Sequence, residues 1–248
     1  VLIAVYLTKR GILPMKIEVL ADAEAVARKA AEVIAAEVRS AVAIRGQCVL
    51  AVSGGRTPWI MLRRLSDFDM PWDKLHVVQV DERIAPSNDS DRNLTHLRER
   101  LLGHVPLPAD RIHAMPVEAS DLEAAAVQYA TSLRTIAGSP PVIDVVHLGL
   151  GSDGHTASLV PGDPVLNVVD ADVALTGVYQ GRRRMTLTYP ILDRARCIIW
   201  VVTGSEKSAA LVRLRDGDRS IPAGMVRRDH AMMLADRAAA EGLQQRQA

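Results

Sequence analysis

An α/β fold with a mainly parallel, Rossmann-like sheet flanked by helices is what this chain predicts, and three observations predict it. Apolar strand-like runs alternate with helical periodicities along most of the 248 residues. Several of those runs stop at a glycine-bearing or charged turn that a helix pattern follows, the order that builds parallel strands. Composition agrees, with 48% apolar and 24% charged residues, the balance of a globular chain with a buried core. A chain of this length buries roughly three quarters of its unfolded surface without staples.

Residues 1–14 hold a short apolar run, VLIAVYL, and then charges. The run is too short to span a bilayer and no charged region precedes it. These residues are expected to lie outside the fold, with 15–248 forming a single domain. From Asp22 to Arg45, Val26, Ala30, Val33, Ile34, Val38, Ala41 and Val42 recur at three- and four-residue steps, so an amphipathic helix is expected with Asp22 as its cap. QCVLAV then reads as a buried strand, SGGRTP as a turn, and the residues from Trp59 as a helix with Pro58 at its first position. LHVVQV at 75–80 is a strand closed by DER, and a polar loop leads to a helix over about 94–102. Helix 121–137 feeds a strand at 142–148. ADVALTGVY and RRMTLTYPIL supply strand pieces with a short helix after Pro190, CIIWVV a strand, TGSEK a turn before another helix, and HAMMLAD a strand before a terminal helix.

Totals exclude several functions. Lys plus Arg number 30 against 29 for Asp plus Glu, so no global field attracts nucleic acid or an anionic membrane. Aromatic residues make up 3%, with one Phe, which removes the stacking platforms of single-strand binders. Cys48 and Cys197 each open an apolar run, so both read as buried free thiols in a reducing cytoplasm. The histidines show no metal-ligand spacing with each other or with the cysteines, so no metal is expected.

The chemistry is expected after strand 142–148, in LGLGSDGHTASLVPG. Gly149, Gly151 and Gly154 let backbone approach a ligand closely, and Asp153 and His155 put a hydrogen-bonding, titratable pair in the same turn. A neutral imidazole can take a proton from water near neutral pH. No nucleophile-elbow pattern accompanies it, so attack by water is expected rather than a covalent intermediate. Backbone N–H groups around Gly151 and Gly154 are the expected oxyanion donors. Ser53, Gly54, Gly55, Arg56 and Thr57 offer a hydroxyl, backbone N–H groups and a helix N-terminus, either an anion nest or a structural turn. Lys207 could add a point charge to the same anion. Asp81, Glu82 and Arg83 read either as an exposed, self-compensating trio or as a site where Arg83 grips an anion and Asp81 a hydroxyl. RRR at 182–184 reads as a solvated loop, with Arg184 the member that could face a ligand, and His147 as a core histidine. These turns follow strands, and in an open parallel sheet such turns share the carboxyl edge where ligands bind.

SGGRTP, the DER after a strand, LGLGSDGHTASLVPG, RRMTLTYPILDRAR, WVVTGSEKSAAL and LADRAAA together resemble the 6-phosphogluconolactonase family, within the wider group that includes the glucosamine-6-phosphate deaminases. HTASL is the most specific part, because the deaminases differ directly after DGH. The resemblance implies a sugar-phosphate isomerase/deaminase-like fold and hydrolysis of 6-phosphoglucono-1,5-lactone to 6-phosphogluconate in the oxidative pentose phosphate pathway. It implies His155 as the base supported by Asp153, and the 53–57 turn, Arg83 and Lys207 on the 6-phosphate. It implies no cofactor and a small-molecule sugar-phosphate lactone as the partner. No nucleic-acid or membrane partner is expected, and a monomer is slightly favoured. Met232 and Met233 depart from the family, standing where many members carry tryptophans. The alternatives are glucosamine-6-phosphate deamination, in which Asp81 would move a carbon-bound proton, and a non-catalytic sugar-phosphate sensor.

Overall fold

The computed structural model describes residues 2–4 and 15–244. Leu2–Ala4 (β1) pairs antiparallel with Lys16–Leu20 (β2), and the remainder of the 1–14 stretch lies outside the described residues. Helix α1 (Ala23–Arg45) starts where the Asp22 side chain accepts the Ala25 N–H at 2.8 Å, satisfying one of the donors that a helix start leaves unpaired. It ends at Gly46, whose φ of 78° is left-handed. Then come β3 (Cys48–Val52), α2 (Arg56–Leu65), β4 (Leu75–Gln79), β5 (Asp81–Arg83) and α3 (Asn93–Arg100). Next are β6 (Ile112–His113), α4 (Leu122–Ala137, capped by Asp121), β7 (Val145–Gly149), β8 (Val173–Leu175) and β9 (Arg184–Leu187). The chain closes with α5 (Tyr189–Asp193), β10 (Cys197–Val202), α6 (Ser208–Asp216), α7 (Pro222–Met225), β11 (Ala231–Asp236) and α8 (Glu241–Gln244).

Among the described residues eight strands form one sheet in the order β1-β2-β11-β10-β7-β3-β4-β6, parallel throughout except for β1. Period-two alternation divides the core into two layers. Val49, Ala51, Val146, Leu148, Ile198 and Trp200 face the side covered by α4 and α6, while Cys48, Leu50, Val52, Val145, Ile199 and Val201 face α1, α2 and α3. Buried on both faces, these strands are near-continuous apolar runs. From β3 the chain winds outward through β4 to β6; from β7 it winds the opposite way through β10 to β11. The crevice between β3 and β7 is therefore the topological switch point, where ligands bind beyond the carboxyl ends of the strands.

Several expectations need correction. Helix α2 begins at Arg56, so Pro58 occupies its third position rather than its first; its missing N–H costs nothing there, because the first four helix donors have no intrahelical acceptor. Strand β7 starts at Val145 rather than 142, because the Asp144 carboxylate accepts the Val49 N–H at 2.8 Å and pairs with Arg45. DER is not a turn but a strand of a separate antiparallel sheet, β5-β9-β8. Asp81 and Glu82 are buried rather than exposed. Glu82 accepts the N–H groups of Asn93 and Leu94 and so holds the start of α3. Cys48 is buried as expected, but Cys197 is only half-buried.

Candidate active site

The turn that leaves β7 is shaped by one carboxylate. Asp153 Oδ1 lies 2.6 Å from His155 Nδ1 and also accepts the His155 backbone N–H at 3.1 Å. With Asp153 ionised, Nδ1 carries the proton and Nε2 keeps its lone pair, with no protein partner among the described residues. Tyr179 donates its hydroxyl to Asp153 Oδ2 at 3.2 Å, and its ring meets the imidazole edge-on with the two ring centroids 5.4 Å apart. Burial pushes the Asp153 carboxyl up, but hydrogen bonds from His155 and Tyr179 and the charge of His155 outweigh it and hold the group below the usual carboxylate range. Burial and the same carboxylate raise the Tyr179 phenol. Gly151 is required here, because a Cβ would stand 2.1 Å from His155 Nδ1. Of the N–H groups in this turn expected to meet an oxyanion, those of Gly151 and Gly154 are engaged within the turn itself: Gly151 N–H donates to the His155 carbonyl at 2.8 Å, and Gly154 N–H to the Gly151 carbonyl at 3.0 Å.

A second wall comes from the turns after β3 and β10. The Ser53 N–H is engaged by Nδ1 of His147 at 3.2 Å. His147 is fully buried on β7, which pushes its imidazole down to about 3 and keeps it neutral. The N–H groups of Gly54, Gly55, Arg56 and Thr57 have no acceptor among the described residues and open the first turn of α2, an arrangement that suits an anion. Gly54 is fixed by proximity, since a Cβ would lie 2.1 Å from Asn93 Oδ1. Thr57 Oγ1 and Thr203 Oγ1 meet at 2.7 Å and tie this turn to the one after β10. Lys207 ends that second turn, and its ammonium group has no protein partner among the described residues.

The third wall is the small sheet. Asp81 pairs in register with Thr186, and Arg83 with Arg184, so the two arginines are cross-strand neighbours. The Asp81 carboxylate accepts the Ser158 hydroxyl at 2.6 Å and the Asn93 amide at 3.4 Å. Arg83 donates to the Asp91 carbonyl at 2.6 Å, while its Nε is buried with no hydrogen-bond partner among the described residues. Arg184 is only 5% exposed, against the expectation of a solvated loop. Its guanidinium lies 5.0 Å above the Tyr179 ring, and burial lowers its pKa against the opposing charge of Asp81.

These walls enclose a cleft of about 820 Å³, lined by Ser53 to Thr57, Asp81, Arg83, Gly151, His155 and Lys207, with Arg184, Asn93 and Asp236 also present. All the residues expected from the sequence are thus brought to one place, Asp153 from behind His155. A family model described as glucosamine-6-phosphate isomerases/6-phosphogluconolactonase matches residues 21–235. The chain belongs to this family. It is 37% identical over 200 residues to the 6-phosphogluconolactonase of Synechocystis sp., covering 79% of this chain and 83% of that relative. The solved 6-phosphogluconolactonase from Trypanosoma brucei superposes with a TM-score of 0.79 at 26% identity, over 94% of this chain and 100% of its own. A monomeric glucosamine-6-phosphate deaminase superposes equally well, with a TM-score of 0.80 over 92% of this chain and 100% of its own at 19% identity, so the backbone is common to both branches and the site must separate them.

Among residues of this family site, sequence reasoning missed Tyr179, Asn93 and Ser158, and left Arg184 in a loop. The signal for Arg184 was strand alternation: Met185 and Leu187 are core residues, so Arg184 and Thr186 must face the other side. Tyr179 carried no local signal, because its partner Asp153 is 26 residues away.

Proposed function

We propose that this protein hydrolyses 6-phospho-D-glucono-1,5-lactone to 6-phospho-D-gluconate, with His155 as the general base. The observation that carries the proposal is the pairing of His155 Nδ1 with Asp153 at 2.6 Å in a residue that lines the cleft. Nε2 takes a proton from water as its oxygen bonds to C1; the C1–O5 bond then breaks, and the proton passes from Nε2 to O5. Asp153 fixes the tautomer and stabilises the imidazolium formed on the way. The N–H groups at the start of α2, with Ser53, Thr57 and Lys207, hold the 6-phosphate, and binding that remote dianion orients C1 against the base. Arg83 and Asp81 extend the grip along the sugar.

The HTASL segment, which separates the lactonases from the deaminases in the sequence, supplies Ser158, whose hydroxyl donates to Asp81 Oδ2 at 2.6 Å, while the Asn93 amide reaches Oδ1 at 3.4 Å. The residues that favour hydrolysis over deamination thus engage the carboxylate that a deaminase would use as its base. The reaction suits a cytoplasmic protein that acts as a monomer on a small metabolite, and Cys48 and Cys197 are free thiols. No described helix is long and apolar enough to cross a membrane.

The test generates the lactone in place from glucose 6-phosphate and follows its loss by NMR with and without protein, while glucosamine 6-phosphate is assayed for ammonia release. Lactone loss well above the spontaneous rate with no ammonia is the expected result. Ammonia release would select the deaminase, and binding without turnover of either compound would select the sensor.

A further inference from the structure

The cations of the cleft fall into two groups with different attachments. Lys207 and the start of α2 are tied together by the Thr57–Thr203 hydrogen bond. Arg83 and Arg184 stand side by side on the small sheet, and Arg184 is joined to the reacting end: its guanidinium covers the Tyr179 ring, whose hydroxyl holds Asp153, whose other oxygen holds His155. Arg184 is nineteen-twentieths buried, at 5% exposed, yet the hydrogen bonds of its guanidinium among the described residues are long, 3.5 Å to Ser158 Oγ and 3.4 Å to Gln180 Oε1. Its Nε and that of the neighbouring Arg83 are buried with no hydrogen-bond partner among the described residues. Two adjacent, poorly satisfied guanidiniums are costly in a buried wall unless an anion completes them. The backbone donors near the base, Gly151 and Gly154, are already engaged within their own turn.

We infer that Arg184 binds the C1 end of the substrate, meeting the carbonyl oxygen as it becomes an oxyanion and the carboxylate of the product. The inference rests on the lactonase reading and deepens it. Negative charge develops on the carbonyl oxygen when water adds to C1, and a cation fixed in place by a stacked tyrosine meets that charge without reorganising. The same guanidinium then faces the product carboxylate, for which its planar fork is suited. Arg184 and Lys207 thereby divide the substrate between them, one at each anionic end.

The test measures binding of two compounds by calorimetry: 6-phosphogluconate, with phosphate and carboxylate, and glucitol 6-phosphate, with phosphate alone. Wild type is expected to prefer the gluconate. Arg184→Gln should weaken the gluconate at least about tenfold while leaving glucitol 6-phosphate within about threefold, and should slow lactone opening by about 10²–10³. Lys207→Met should weaken both compounds together, and Arg184→Lys should recover part of the preference. Retained glucitol 6-phosphate binding shows that the variant is folded. Parallel loss of both compounds in Arg184→Gln, or no change in either, overturns the inference. A wild type that opens the lactone but shows no preference for the gluconate overturns it while leaving the lactonase reading intact. A wild type that binds neither compound and opens no lactone overturns that reading and this inference with it.

Discussion

Two histidine clusters are built with opposite partners. At the switch point, His155 has a carboxylate on Nδ1 and a cleft in front of Nε2. At the β4–β6 edge, His76 has both nitrogens engaged, Nδ1 by His113 Nε2 at 2.9 Å and Nε2 by an Arg111 nitrogen at 2.5 Å. Burial, Arg111 and His113 push the His76 imidazole down to about 4, and burial lowers His113 as well. The difference teaches what makes a histidine useful for proton transfer. A large displacement of pKa is not the mark of it; His76 and the buried His147 are displaced furthest and neither lines the cleft. What matters is an anionic partner on one nitrogen and access at the other.

The sharpest way to break this comparison is to remove the partner that distinguishes the clusters. Asp153→Asn leaves the size of the side chain but lets the amide favour the wrong imidazole tautomer, so kcat should fall by about 10² or more with KM little changed; kinetics that match wild type would show that Asp153 does not set the base. Tyr179→Phe keeps the ring against His155 and Arg184 and deletes only the hydroxyl that donates to Asp153. A loss of about threefold to tenfold in kcat is expected, near 1 kcal/mol, read in the same assay.

The edge cluster should respond in stability and not in rate. His76 of this cluster, and His147 beneath the cleft, have folded pKa values of about 4 and 3, below their ordinary value, so the unfolded chain binds more protons once the pH drops below about 6.5. Their contribution is complete above that pH and is lost as the pH falls through 4 toward 3. His76→Gln should flatten the decline of the urea midpoint between pH 7 and 4 and leave lactone opening at pH 7 unchanged; an unaltered slope would remove His76 from the explanation.

Much of this arrangement was legible in the sequence, and the unread part has a common cause. Local pattern reveals α1 through Asp22 and its apolar spacing, and the strand–turn–helix order reveals the parallel sheet and brings Ser53, His155 and Lys207 to one edge. DER defeated that approach because three charged residues do not look like a strand; β5 exists only because β9, a hundred residues later, pairs with it and Glu82 is satisfied by the start of α3. Asp81 and Ser158 are 77 residues apart. No periodicity within either segment foretells such a hydrogen bond, which arises where the turn after β7 packs against the small sheet. Pro58 was misplaced by only two positions, the usual uncertainty of a helix start.

The most direct measurement compares lactone loss, followed by NMR at pH 7, for wild type, His155→Gln and His76→Gln at equal concentration. The expected result is fast opening in wild type and His76→Gln, with His155→Gln slower by about 10²–10⁴ at an unchanged melting temperature. Opening by His155→Gln within tenfold of wild type would contradict the role of His155 as the base.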